Sequence, residues 1–143
     1  MAAVTKYADA YYGVMPDDRL AGIPACRTGD YKADAAYDAN SKVYMCKIPS
    51  GARILRIDYK TSALGAARVL DIGNATVEAK YGEAIDVSSA VSGSIIPANA
   101  VLAADEAIVF KIEGDTLPED GELMAHVWYK MADCIEDEAA VAS

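Results

Sequence analysis

Between residues 41 and 130 the apolar side chains recur at every second position, the period of a β-strand, while the 3.6-residue spacing of an amphipathic helix is poorly represented throughout. The run Arg53-Ile54-Leu55-Arg56-Ile57-Asp58-Tyr59-Lys60 carries the alternation most clearly. Leu55, Ile57 and Tyr59 point one way and Arg56, Asp58 and Lys60 the other, the pattern of a half-buried antiparallel strand. Before it, Val43–Ile48 ends at Pro49-Ser50-Gly51-Ala52, a turn built from a fixed φ followed by a permissive glycine. Ala107–Ile112 places Ile108, Phe110 and Ile112 on one face. In Glu122–Lys130, Leu123, Ala125, Val127 and Tyr129 share one face and Met124, His126 and Trp128 the other. Both faces carry apolar groups, so this strand is expected to be central or at an interface.

The remaining segments are less regular. Thr61–Ala66 reads as a loop, and Arg68–Ile72 as a short strand stopped by Gly73-Asn74. Residues 75–91 are ambiguous, with strand-like pieces around Ala75–Lys80 and Ile85–Val87, and 97–106 fits either a short helix or a loop. Several short strands separated by turn signals mean an all-β sandwich or barrel, not βαβ units. The 143 residues are enough for one domain with a sizeable core.

Two flanking zones differ from this middle. Residues 1–40 hold five of the nine tyrosines, Tyr7, Tyr11, Tyr12, Tyr31 and Tyr37, and are broken by Gly13, Pro16, Gly22, Pro24 and Gly29. That composition reads as an extended N-terminal arm that buries rings against its own domain or a partner while the hydroxyls stay wet. Residues 131–143 hold four acids and no base and read as an acidic C-terminal tail. The expected organisation is therefore an arm over 1–40, a β-sandwich over 41–130 and a tail over 131–143.

The net charge of −9 argues against nucleic-acid and anionic-membrane partners, which select basic surface. It is unevenly spread: −2 over residues 1–40, +4 over 41–80, −7 over 81–130 and −4 over 131–143. Two pairings satisfy that split. The basic and acidic parts meet within one domain, or complementary patches meet between copies. No window approaches the length of a transmembrane helix, and the opening MAAVTKYADAYYGVMPDDR lacks a secretion-leader plan. Cys26, Cys46 and Cys134 are odd in number and form no CxxC pair, which favours reduced thiols in a protein made in a cytoplasm. Cys46, inside a strand pattern, is expected to be a small buried hydrophobe.

Chemistry-bearing patterns are sparse. His126 is the one histidine and no cysteine lies near it in sequence, so neither a metal site nor a Ser-His-Asp or Cys-His centre is expected. GxSxG, GxxxxGK[ST] and GxGxxG are absent, and no catalytic, cofactor-binding or metal residue is assigned. Asp115, Glu119, Asp120 and Glu122 cluster in one connection without the EF-hand spacing, and read as a solvated acidic loop. A small acid-catalysed hydrolase needs two carboxylates converging in a cleft.

The stretch Ala39–Lys130 carries a recognisable series of motifs. Lys47-Ile48-Pro49-Ser50-Gly51-Ala52 is followed by the amphipathic strand Arg53–Lys60, then Ser62-Ala63-Leu64-Gly65, then Leu70-Asp71-Ile72-Gly73, with a closing strand through Val127-Trp128-Tyr129. This series resembles a group of small virion proteins of tailed bacteriophages, over roughly two-thirds of the chain. The motifs are structural, so no catalytic residue is implied. The resemblance implies a jelly-roll-like antiparallel β-sandwich acting as a capsid decoration (cement) protein. Such a protein binds the major capsid protein on the outside of the shell and assembles as a homotrimer. The Tyr-rich first forty residues depart most from the pattern. Patterning then assigns shell contact to Tyr7, Tyr11 and Tyr12, and subunit contact to His126 and Trp128, with Arg53 and Arg56 meeting acids of a neighbour. The rival role for such a chain is a head-fibre base, a tail component or a glycan-binding β-sandwich module.

Overall fold

The structure is a computed structural model that describes residues 3–8, 24–98 and 100–131. Among these residues there are nine strands and no helix. They are β1 (Thr5–Tyr7), β2 (Ala25–Lys32), β3 (Ser41–Ile48), β4 (Ala52–Thr61), β5 (Val69–Gly73), β6 (Gly82–Asp86), β7 (Val91–Ile95), β8 (Glu106–Glu113) and β9 (Glu122–Met131). A five-stranded sheet runs β1-β3-β8-β5-β6 and a four-stranded sheet runs β2-β9-β4-β7. The antiparallel pairs β2·β9, β3·β8, β4·β7 and β5·β6 nest inside one another, as if one long hairpin were folded over into two layers. The two mostly antiparallel layers make the β-sandwich expected.

The core lies between the layers and is filled by the alternation seen in the sequence. From the five-stranded sheet, Val43, Phe110 and Ile72 stand side by side across β3, β8 and β5, all fully buried. From the other layer, Leu123, Ala125, Val127 and Tyr129 of β9 project inward beside Ile54 and Ile57 of β4. β9 is central in its sheet, paired with β2 on one side and β4 on the other. Of the stretch 97–106, residues 97–98 and 100–105 form a connection tied to β4 through the Arg53–Val101 bridge, and Glu106 opens β8. Residues 75–80 form a turn whose Asn74 side chain accepts from the amides of Thr76 and Val77.

Three local readings need correction. Ala25–Lys32, assigned to the arm, is a full strand of the sandwich, paired with β9 at every residue. Gly29 there is not loop punctuation. A Cβ on it would stand 2.4 Å from the Met45 carbonyl oxygen in the opposite sheet, so glycine permits the two layers to close. Second, the phase of β4 changes at a bulge between Ile54 and Arg56, where β9 offers no extra partner. Ile54 and Ile57 are buried on the core side, and Leu55, read as inward, is displaced toward the outer surface. Third, the strand-like piece at Ala75–Lys80 is no strand; the strand that follows β5 in sequence and pairs with it is Gly82–Asp86.

Arm residues 3–8 are also in the sheet. β1 adds to the β3 edge in parallel register, with Ala8 N–H donating to the Tyr44 carbonyl (2.9 Å) and Lys42 N–H to that of Val4 (2.9 Å). The charge split is met in part inside the domain. Lys80 pairs with Glu106 at 2.7 Å and Arg68 with Asp115 at 3.7 Å, each joining the basic zone to the acidic one.

Candidate functional site

The outer face of the four-stranded sheet gathers more functional candidates than any other surface described. Strand register builds it in rows. Cys26, Trp128 and Arg56 stand side by side across β2, β9 and β4, and the next row is Thr28, His126, Asp58 and Ser94. Each of these is the outward member of an alternating pair whose inward member is in the core, so the residue positions follow from the same period that fixes the fold.

Asp58 organises the centre. Its Oδ1 accepts from Ser94 Oγ at 2.6 Å and from Arg56 Nε at 3.0 Å, and its Oδ2 accepts from the Trp128 indole N–H at 3.2 Å. The Ser94 bond, with the Arg56 charge and the indole N–H, holds the carboxyl below its usual range against an opposing desolvation. The Arg56 guanidinium lies over the Trp128 ring, 5.6 Å from its centroid, in a cation–π contact. His126 Nε2 sits 3.3 Å from Met124 Sδ on the same strand face. Beside this cluster, Leu55, Arg56, Ile96 and Trp128 line an open groove of about 350 Å³. Ile96 is 81% exposed, an uncommon exposure for so large an apolar side chain.

Of the residues expected at subunit contacts, Arg56, His126 and Trp128 thus fall in one patch, and Arg53 lies on the same strand opposite Lys130. Arg56 has an acid of its own chain, Asp58, as its ion-pair partner. Tyr7, expected to touch the shell, is elsewhere. It belongs to β1, is 37% exposed, and packs its ring on Tyr44 with centroids 4.9 Å apart, outward from the five-stranded sheet. Tyr11 and Tyr12 lie outside the described residues. The candidates therefore separate onto opposite layers of the sandwich.

Sequence reasoning did not single out Asp58, Ser94 or Ile96. Asp58 and His126 are 68 positions apart and become neighbours only through the β4·β9 register, which no local pattern carries.

A second polar cluster closes one end of the sandwich. Glu106, 9% exposed, accepts from Asn74 Nδ2 (2.7 Å), Lys80 Nζ (2.7 Å) and the Tyr81 hydroxyl. Burial alone would raise its carboxyl, but the bonds from Lys80, Tyr81 and Asn74 outweigh that and lower it. Desolvation and the Glu106 contact push the Tyr81 phenol strongly up. Each donor comes from the β5–β6 region and the acceptor from the start of β8, so the cluster fastens that region to the sheet. Among the described residues no group of three or more His, Cys, Asp or Glu could hold a metal ion. The acids of the 115–122 connection are split between partners, Asp115 with Arg68 and Asp120 with Lys32.

No protein-family model matches this chain, and no curated protein matches it. Solved structures do. The chain aligns with one in the capsid of Ralstonia phage GP4 at a TM-score of 0.74 and 14% identity, covering 92% of this chain and 99% of that one. It aligns with one in the cyanophage Pam1 capsid asymmetric unit at a TM-score of 0.68 and 17% identity, covering 82% and 91%. The fold occurs in phage capsids. A third likeness, to the acidic stable capsid structure of Helicobacter pylori bacteriophage KHP30, has a TM-score of 0.50 at 13% identity, over 78% of this chain and 95% of that one. At these identities the likeness is one of fold, and it spans nearly the whole length of both partners in the first case.

Proposed function

We propose that this protein is a phage virion structural protein that binds the outer surface of the capsid shell and stabilises it, as a decoration (cement) protein. The observation that carries the reading is the near-complete two-way coverage with the GP4 and Pam1 capsid chains. What is shared is a whole small domain, not a piece of a larger shell subunit. The two layers suit two kinds of contact. Tyr7, beside Tyr44 on the five-stranded sheet, presents half-exposed rings for the major capsid protein, and Tyr11 and Tyr12 of the arm extend that contact. Arg53, Arg56, His126 and Trp128 on the opposite layer meet neighbouring copies in a homotrimer. Repetition over a lattice lets modest individual contacts hold firmly. The acidic exterior keeps a coated particle soluble. The protein is made in the bacterial host cytoplasm and resides on the capsid exterior.

The test is reconstitution on capsid shells prepared without this protein, followed by sedimentation. Added protein is expected to co-sediment at a fixed ratio to shell subunits and to raise the temperature at which the shells break. Removing residues 1–8 is expected to weaken binding. Saturable binding to host-envelope polysaccharide with none to shells would replace this reading with that of a glycan-binding module.

A further inference from the structure

The groove formed by Leu55, Ile96 and Trp128 is apolar at its base and basic at its rim. Arg56 forms one wall with its side chain 48% exposed, and Arg53 and Lys130 stand opposite each other two rungs along the β4·β9 ladder from the Arg56–Trp128 pair. On this face, Asp58 is engaged by Ser94, Arg56 and the Trp128 indole. A cationic rim around an exposed apolar trough is exceptional on a chain with a net charge of −9. Its complement is present in the same sequence: residues 132–143 carry Asp133, Glu136, Asp137 and Glu138, no base, and the apolar Ile135 among the acids.

We infer that this groove receives the acidic C-terminal segment 132–143 of a second copy, with Ile135 entering beside Ile96 and Trp128 and the flanking acids facing Arg53, Arg56 and Lys130. The inference rests on the reading of this face as a subunit interface and names the segment that fills it. Chain direction favours a neighbour. β9 runs from Trp128 past Lys130 to Met131, which pairs with Ala52, so the last described residue of the strand lies beyond the groove and the strand is directed away from it. Twelve extended residues reach up to about 40 Å, ample for an adjacent subunit. Charge complementarity at the rim fixes the partner segment, and burial of Ile135 supplies affinity.

Trp128 is the single tryptophan, so intrinsic emission reports the groove directly. Emission of the full-length protein is expected to change with protein concentration in step with association measured by sedimentation equilibrium, and the change is expected to shrink in high salt. Ile135→Ser, a change outside the folded sheets described, is expected to weaken association by about tenfold or more. A synthetic peptide of residues 132–143 added to full-length Ile135→Ser protein is expected to restore the emission change saturably. If the wild type associates with a change at Trp128 that Ile135→Ser leaves untouched, the face remains an interface and the tail is not what fills it. If Ile135→Ser alters emission identically at every concentration, each tail occupies its own groove and the proposal is overturned. A wild type that stays monomeric with constant emission removes both the interface and its occupant.

Discussion

Gly29→Ala isolates a single close approach between the two layers. The added Cβ would stand 2.4 Å from the Met45 carbonyl oxygen and 2.8 Å from its carbonyl carbon and Cβ. Real Cβ atoms essentially never come closer than 3.0 Å to such atoms, so β2 and β3 must separate by about 0.6 Å at this point. The obstacle is backbone on both sides, held in ladders to β9 and β8, and cannot rotate away as a flexible side chain would. Overpacking of this kind costs about 1–3 kcal/mol, offset by about 0.4–1 kcal/mol from the reduced freedom of the unfolded chain. The net range is about 0–2.6 kcal/mol, and because the clash is with backbone the expectation is its upper half, about 1.3–2.6 kcal/mol, or a fall in Tm of about 3–10 °C for a domain of this size. Urea unfolding followed by tryptophan emission and far-UV circular dichroism measures it, with Thr28→Ala, exposed on the same strand, as a control within about 0.5 kcal/mol of wild type. A Gly29→Ala protein as stable as wild type would show that β2 does not press on β3 there, and that the strand assignment of Ala25–Lys32 is misplaced.

Other expectations follow from the polar cluster and the cysteines. Glu106→Gln removes the charge that Lys80, Asn74 and Tyr81 all engage, and is expected to cost about 1.5–3 kcal/mol by chemical unfolding at neutral pH. Because the folded-state carboxyl is lowered, its stabilisation is complete above the ordinary value of 4.5 and is lost as pH falls through the lower folded value. The stability difference between wild type and Glu106→Gln should therefore narrow on acidification below about pH 4.5, and a constant difference across that range would refute the assignment. Cys46 is fully buried, and desolvation pushes its thiol up to about 12. Thiol reagents are expected to modify the exposed Cys26 in the native protein and to reach Cys46 only on unfolding, read by mass spectrometry.

What the sequence made legible follows from where its alternation is uninterrupted. β3, β8 and β9 present buried residues at every second place or nearly so, and β9 was readable as central because both its faces are apolar. β2 was missed because its two strongest local signals, Pro24 and Gly29, also mark loops, and because its inward side includes Arg27 and Tyr31 rather than aliphatic residues. β6 and β7 are five residues each at sheet edges with no fully buried residue, so burial leaves little trace in their composition. Leu55 was misphased because a bulge adds a residue without any residue type that announces it. For the candidate face, Arg56, His126 and Trp128 could be chosen as outward residues of strong strands. Their meeting with Asp58 and Ser94 depends on long-range register, and the groove depends on Ile96 from a connection that carries no periodic pattern.

The central claim is that this domain coats a capsid from outside. Cryo-electron microscopy of purified particles at a resolution that traces strands tests it most directly. The account predicts density for the two-layered β-sandwich on the outer surface of the shell, with the five-stranded sheet and Tyr7 toward the major capsid protein and the Trp128 face toward neighbouring copies. Particles whose shells bear no such density outside, with the chain found only in the tail or absent from the virion, would contradict it.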